Sequence, residues 1–357
     1  MSRDPNADAM RLHSGRRDPT IVMKHGAGGR AMRRLIQETL TRGFVDVEVD
    51  GFGIAAMDDG AALRLGDRWL VVTTDSHVVQ PAFFPGGDIG RLAISGTVND
   101  LAMMGATEPM GLTCAMIVEE GFTFPDLERV QQSMFDTCRE AGTTVVTGDT
   151  KVMGRGELDG VVINTTGVAV ADRIVRDSGL RVGDRIIVTG NVGDHGMALM
   201  AHRHHLAIDA ELFSDVAPIN HMIRDALAAA PGAVTAMKDP TRGGLSSALH
   251  EMAEKGHVGI VIREELVPVN PVVRAVAEML GLDPMHVANE GKAVLGVRGD
   301  DATAQAVLDA LHRHPWGANA AVIGECVETR VGDVVLDTGL GKRLLSEYEG
   351  ELLPRIC

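Results

Sequence analysis

Five β-like runs between residues 21 and 170 constrain this chain more than any other feature. They are VDVEV at 45–49, WLVVTTD at 69–75, LTCAMIV at 112–118, TTVVTGD at 143–149 and GVVINTTGVAV at 160–170. Two helical stretches interrupt them, around 88–104 and 125–141. The first offers Ile89, Leu92, Ala93, Leu101 and Met104 as apolar stripes. The second opens at Pro125 and Asp126 and stops at Gly142, as helix-end chemistry predicts. It carries Cys138, read as a buried structural thiol. After ADRIVRDSGLRVGD (171–184) the pattern changes. Strands at 185–190, 258–262, 293–298 and 319–325 now mix with helices at 196–207, 220–230, 245–256, 271–280 and 301–314. The predicted fold class is α+β in two domains, 21–170 and 171–340, each a sheet with helices packed on one face. Residues 1–20 read as a solvated leader. Residues 341–357 read as a flexible tail, which when extended reaches on the order of 55 Å at about 3.3 Å per residue.

The 357-residue length suits two domains with real cores. Asp and Glu number 49 against 34 Lys and Arg, a net charge of −15, which is the wrong sign for a phosphate-backbone binder. Aromatics are only 3%, so stacking on nucleic-acid bases is an unsuitable purpose. No apolar run is long enough to span a membrane, and the first twenty residues lack a secretory h-region. The four cysteines, Cys114, Cys138, Cys326 and Cys357, show no CxxC spacing. That usage points to a reducing cytoplasm.

Carboxylates recur at the ends of β-like runs or in glycine turns: Asp58 and Asp59 in MDDGA, Asp75 in TTDS, Asp100 in TVNDLA, Asp149 in TGDTK and Asp239 in KDPTRGG. A single such Asp is ordinarily a turn or cap residue. Five such sites, four of them in one predicted domain, suggest a Mg²⁺–nucleotide site, because Mg²⁺ binds through a few carboxylates plus substrate phosphates. HGAGG (25–29) precedes a helix-like run and suits phosphate oxygens, although alone it is a weak signal. PGGDIG (85–90) is equally weak. GFGIAA (51–56) matches GxGxxA, but a hairpin pattern follows where a dinucleotide fold needs a helix. No P-loop is present. His202, His204 and His205 form a cluster that suits a nickel or zinc site or, more simply, a solvated helix face. His195 in GDHG lies in a glycine turn after a strand and stands apart from that cluster, a loop-stabilising role being at least as good a reading. Cys357 has nothing after it, which rules out prenylation and leaves an accessible thiol able to act as a nucleophile or group carrier.

HGAGG, DDGA, TTDSHVVQPAFFPGGDIGRLAISGTVNDLAMMGATEP, TGDTKV, NTTGVAV, GDHG, DPTRGGL, ANEGK and the terminal PRIC occur in this order from residue 25 to the end. Together they resemble the HypE family of hydrogenase maturation proteins, within the AIR-synthetase-like (PurM-like) superfamily. DDGA, TTD, ND and DPTRGGL are also shared loosely with selenophosphate synthetase and thiamine-phosphate kinase. The resemblance implies a homodimer whose N-terminal domains pair into a β-barrel, with ATP and Mg²⁺ in the cleft beside the second domain. It implies a carbamoyltransferase partner, HypF, that loads a carbamoyl group onto Cys357. ATP-dependent dehydration of that S-carboxamide to a thiocyanate follows, and the cyanide passes to iron in a HypC–HypD complex for [NiFe]-hydrogenase. By motif match, Asp59, Asp100 and Asp239 are the metal candidates. Asp75, Asp100, Gly148, Asp149 and Thr150 line the nucleotide site, and His25, Gly26, Gly28 and Gly29 cover the phosphates. Lys151 neutralises the transferring phosphoryl group, Glu290 is the base and Cys357 is the carrier. The rivals are a selenophosphate synthetase, whose reactive Cys or selenocysteine HGAGG lacks, and a non-enzymatic nickel metallochaperone using the histidine cluster.

Overall fold

The computed structural model describes residues 20–206, 208, 210–347 and 356. In the first half, β1 (Gly51–Phe52), β2 (Ala61–Leu65), β3 (Arg68–His77), β6 (Pro109–Glu119), β7 (Val145–Met153) and β8 (Val161–Ala171) form one sheet, while β4 (Phe83–Phe84) and β5 (Gly87–Asp88) make a separate ribbon. The six strands take the order β1–β2–β3–β8–β6–β7. Every neighbouring pair is antiparallel except β6 and β7, which run parallel. β6 and β7 are joined through a helix (Phe124–Ala141), because a parallel pair needs a crossover.

Ahead of that sheet a short helix, α1 (Gly29–Leu35), leaves the glycine loop, and the helix α2 (Ile89–Met103) lies under the sheet. β8 alternates strictly between buried and half-buried residues, and its inner face meets α2. A Cβ at Gly167 on β8 would stand 2.8 Å from side-chain atoms of Leu101 and Thr97, so the helix packs this closely only against glycine. The sequence suggested apolar stripes on α2, yet all its residues except Arg91 and Asp100 are buried. Its glycines, Gly90 and Gly96, admit Val130 and His77 of the first half, while Ala102 and Met103 pack with Ile219 and Ile223 of the second.

In the second half, β9 (Arg185–Val188), β10 (Val234–Lys238), β11 (Gly259–Arg263), β12 (Val294–Val297), β13 (Ala321–Val327), β14 (Val334–Asp337) and β15 (Lys342–Leu344) form a seven-stranded sheet in the order β10–β12–β9–β13–β11–β14–β15. Ile186 and Val188 belong to one apolar cluster with Leu245, Leu249 and Met252. Ile187 belongs to another with Met222, Ile223, Val307 and Leu311. Helices therefore cover both faces of this sheet, which corrects the one-face expectation and explains why β12 is buried throughout.

Two further differences are informative. VDVEV at 45–49 is not a strand: residues 42–47 form turns, and Val45, Val47 and Val49 are exposed. Alternation makes a strand only where a paired edge receives it, and Gly51–Phe52 occupies the edge beside β2. Within the segment read as a flexible tail, β15 pairs with β14, and Leu345 and Glu347 are buried. Residues 348–355, Cys357 and the leader through residue 19 lie outside the described residues. No helix among the described residues is long and apolar enough to cross a membrane.

Asp88 caps α2, its buried carboxylate accepting from the backbone N–H groups of Gly90 (2.8 Å) and Arg91 (3.0 Å). Asp88→Ala is expected to lower unfolding free energy by about 1–2 kcal/mol. A urea midpoint equal to that of the parent chain would remove the cap from the account.

Candidate active site

Asp59, Asp75, Asp100, Asp239 and Glu290 converge, with Gly28 and Gly29, on one cleft of about 280 Å³ between the two halves. Different elements deliver them. Asp59 stands in the turn before β2, Asp75 on β3, Asp100 on α2 and Asp239 just after β10. Glu290 comes from the ANEGK loop, which Asn99 holds by donating to the carbonyls of Glu290 (3.1 Å) and Ala217 (3.0 Å) while accepting from Ile219 N–H (2.9 Å). The Asn-Asp pair of α2 thus divides its work: Asn99 ties the second half to the helix, and Asp100 faces the cleft.

Like charges raise one another's pKa. Burial pushes Asp100 well above the carboxylate range, and the nearby charges of Asp239, Asp75 and Asp59 push it further. Burial and Asp59 lift Asp239 to about 7. Burial, followed by Asp239 and Asp215, raises Glu290 well above its usual value. One Glu290 carboxyl oxygen is buried without a hydrogen-bond partner. With Arg33 and Arg242 also lining the cleft, Lys238 stands closest as a counter-charge, 2.5 Å from Asp59 and 3.4 Å from Glu251. Burial would depress it, but Asp59 and Glu251 hold its pKa well above normal. Asp58 turns the other way, paired to Arg176 at 2.6 Å. Both adjacent aspartates line the cleft, but Asp58 is engaged by Arg176, whereas Asp59 adds its charge to those raising Asp100 and Asp239.

The donor set fits a hard cation brought in with phosphates. Among the described residues no three His, Cys, Asp or Glu groups come close enough to hold a metal ion by themselves. Carboxylates that repel one another across an open cleft still suit a cation completed by substrate oxygens. On the phosphate side, Gly28 and Gly29 have φ of +81° and +67°. A Cβ at Gly28 would sit 2.9 Å from Arg242, so this loop closes against DPTRGG only as glycine.

The remaining candidates lie elsewhere. His25 and Gly26 belong to a short 3₁₀ turn and do not line this cleft. Gly148, Asp149, Thr150 and Lys151 sit on β7, exposed at the sheet edge, where Lys151 pairs with Asp149 at 2.8 Å. Cys357 is outside the described residues. His202, His204 and His205 are exposed and belong to no metal-capable group among the described residues. Sequence reasoning missed Lys238, Arg242 and Thr73, all of which line the cleft. Thr73 donates to Asp100 at 2.9 Å or to the Asp59 carbonyl at 2.8 Å. Lys238 and Arg242 flank Asp239 in KDPTRGG, so that string held a signal: cations beside an acidic site.

Residues 57–171 match the N-terminal domain family of AIR synthase related proteins, and residues 181–337 match the corresponding C-terminal domain family. A carbamoyl dehydratase HypE of Cupriavidus necator is 45% identical over 353 residues, covering 98% of this chain and 97% of its own. Among solved structures, a chain from a HypE–HypF complex aligns with TM-score 0.81 at 40% identity, covering 88% of this chain and 99% of its own. HypE in complex with ATP aligns at 0.77 with 41% identity, covering 95% and 100%.

The raised pKa values fix a pH dependence. A carboxyl group that holds its proton more tightly when folded confers stability that is fully present below its unfolded pKa. That stability is lost as pH rises through the folded value, here about 7 for Asp239. The nucleotide-free protein should therefore melt at lower temperature at pH 8 than at pH 5. Asp100→Asn, which removes one repelling charge, should flatten that fall and raise the pH 8 midpoint by about 2–4 °C. It should also weaken Mg·ATP binding at least about tenfold. Calorimetry showing an unchanged midpoint and affinity would take Asp100 out of the charge cluster.

Proposed function

The chain belongs to the HypE family of AIR synthase related proteins, and from that premise we propose that it is an ATP-dependent carbamoyl dehydratase acting in hydrogenase maturation. The observation that carries the reading is the convergence of four aspartates and a buried glutamate with a glycine loop in one cleft. Its substrate is a carbamoyl group on the Cys357 sulfur, and its product is the corresponding thiocyanate. The amide oxygen attacks the γ-phosphorus of ATP, ADP leaves, and the resulting imidate expels phosphate as the second nitrogen proton departs. Oxygen leaves in the phosphate, and both protons need an acceptor.

This chain's residues fit these tasks. Gly28, Gly29 and the N-terminal end of α1 offer backbone N–H groups to phosphate oxygens. Asp59, Asp100 and Asp239 would hold Mg²⁺, which supplies charge neutralisation at the phosphates. Asp75 lines the same cleft as a nucleotide contact. Glu290 is the base. Its raised pKa makes it a strong one, and because Asp239 contributes to that rise, neutralising Asp239 brings Glu290 toward ionisation.

Gly148, Asp149, Thr150 and Lys151 require a second copy of the chain. β7 is an edge strand with eight of its nine residues exposed, among them Val146 and Val152. An unpaired edge of this length invites another strand. We take the working form to be a homodimer joined along it into a barrel, so that Lys151 serves the reaction from the shared sheet. His25 and Gly26 close over the phosphates. Residues 21–170 and 171–340 act as the two domain units. HypF is the loading partner and a HypC–HypD complex the acceptor of the cyanide. Three free, buried thiols, Cys114, Cys138 and Cys326, suit a cytoplasmic setting.

Intact-mass spectrometry with HypF, a carbamoyl donor and ATP tests the reading. The parent chain should gain a carbamoyl group and then lose the mass of one water when ATP is present. Cys357→Ala should do neither while keeping its melting temperature. An ATP-dependent loss of water in Cys357→Ala would overturn the assignment.

A further inference from the structure

His195 is the second residue of a ten-residue helix (Asp194–Arg203) and is completely buried. Its ring makes two short contacts. Nε2 lies 2.7 Å from the backbone carbonyl oxygen of Ile356, and Nδ1 lies 2.7 Å from Ser214 Oγ. A carbonyl only accepts, so Nε2 carries the hydrogen and donates. In the neutral ring Nδ1 then accepts from the Ser214 hydroxyl. Ser214 Oγ itself accepts from Val216 N–H at 3.1 Å, which orients that hydroxyl. Phe84 meets the imidazole edge-on, with centroids 5.5 Å apart. Burial lowers the His195 pKa, keeping the ring neutral and its tautomer single.

The accepting carbonyl is that of the residue before Cys357. Ile356 is 5% exposed, and its side chain shares an apolar cluster with Phe84, Met197 and Val216. The same scaffold holds the base. Asp215, next to Ser214, accepts from the backbone N–H of Glu290 at 3.0 Å. Gly193, two residues before His195, donates to Asn289 Oδ1 at 2.7 Å. A dipeptide, Ser214–Asp215, thus orients the histidine with one residue and the Glu290 loop with the next.

We propose that His195 is a positioning residue, whose Nε2–H grips the carbonyl of residue 356 and fixes the Ile356–Cys357 peptide bond relative to Glu290. The anchoring half of this inference stands without the dehydratase reading. The kinetic half rests on Cys357 being the carrier.

Three variants of the full chain test it. His195→Leu keeps the apolar packing and removes the donor. His195→Gln retains an amide donor. Ser214→Ala removes the hydroxyl that selects the tautomer. Release of the terminal residues by a carboxypeptidase, followed by mass spectrometry, should be about tenfold faster in His195→Leu than in the parent chain. It should be intermediate in Ser214→Ala and close to the parent rate in His195→Gln. In single-turnover assays with HypF-loaded protein, conversion of the carbamoylated cysteine should fall by a similar factor in His195→Leu and recover in His195→Gln, with Mg·ATP affinity unchanged in both. Equal digestion rates in a folded His195→Leu, or in Ser214→Ala if the leucine variant does not fold, would overturn the anchor. Faster digestion with undiminished conversion would overturn the positioning role. If no variant or parent chain converts the loaded cysteine, the dehydratase reading fails while the digestion result still decides the anchor.

Discussion

Repulsion among carboxylates that the fold forces together is the interaction on which the rest of this structure turns. Asp59, Asp75, Asp100 and Asp239 arrive from both halves of the chain at one cleft. Two unit charges 4 Å apart interact by about 4 kcal/mol at an effective dielectric of 20. A cluster of this kind survives only by taking up protons or by recruiting positive charge. The chain does both. Asp239 and Asp100 hold their protons tightly, and Lys238 stands half-buried among the acids. Such a site suits a cation carried in with phosphates, which would offset the charge that Lys238, Arg33 and Arg242 leave and let an acidic protein bind an anionic nucleotide.

The repulsion is sustained by α2, which gives the cluster no room to relax. Nearly every position of this helix is buried, so Asp100 stays where packing puts it. The helix meets the first sheet through Thr165 Oγ1, which donates to the Ala93 carbonyl at 3.0 Å. It meets the second half through Asn99 and through Arg91, whose Nε donates to the Val216 carbonyl at 2.8 Å. Sliding the helix would break contacts on every side at once. A rigid element holding a costly charge is the arrangement expected where function opposes stability.

Much of this was legible in the sequence, and the failures have identifiable causes. Helix ends with strong punctuation, such as Pro125 and Gly142, fell within a residue or two of their observed places. Recurrence was the signal in the acidic motifs, since a single Asp at a strand end is ordinarily a turn or cap residue; the structure gathers Asp59, Asp75, Asp100 and Asp239 and leaves Asp149 on β7. VDVEV misled because pairing, not alternation, makes a strand. The burial of α2 escaped notice because Ser, Thr and Gly are not scored as core residues, although in a tight helix–sheet contact small size matters more than apolarity. Lys238 was hidden for the opposite reason: a lysine reads as solvent-facing until its acidic neighbours in space are known. The exposure of β7 was not legible in its local pattern, since VVTG reads like any other strand until its place at the sheet edge is known.

The end of the chain is held from two sides. Arg33 on α1 holds Glu347 at 2.6 Å, and Arg33 also lines the cleft. His195 holds Ile356, on the scaffold that carries Glu290. The first grip is made by an element that lines the cleft, the second by a helix tied to the Glu290 loop through Ser214 and Asp215. With the first grip alone, the nine residues from 348 to 356 would let the terminus range over about 30 Å at about 3.3 Å per residue. A terminal group free over such a volume would meet Glu290 only occasionally, and under the proposed reading a held Ile356 carbonyl narrows that intramolecular search. The single hydrogen bond from His195 is modest in energy, but with the Ile356 carbonyl held only the rotations within the last residue separate it from the sulfur.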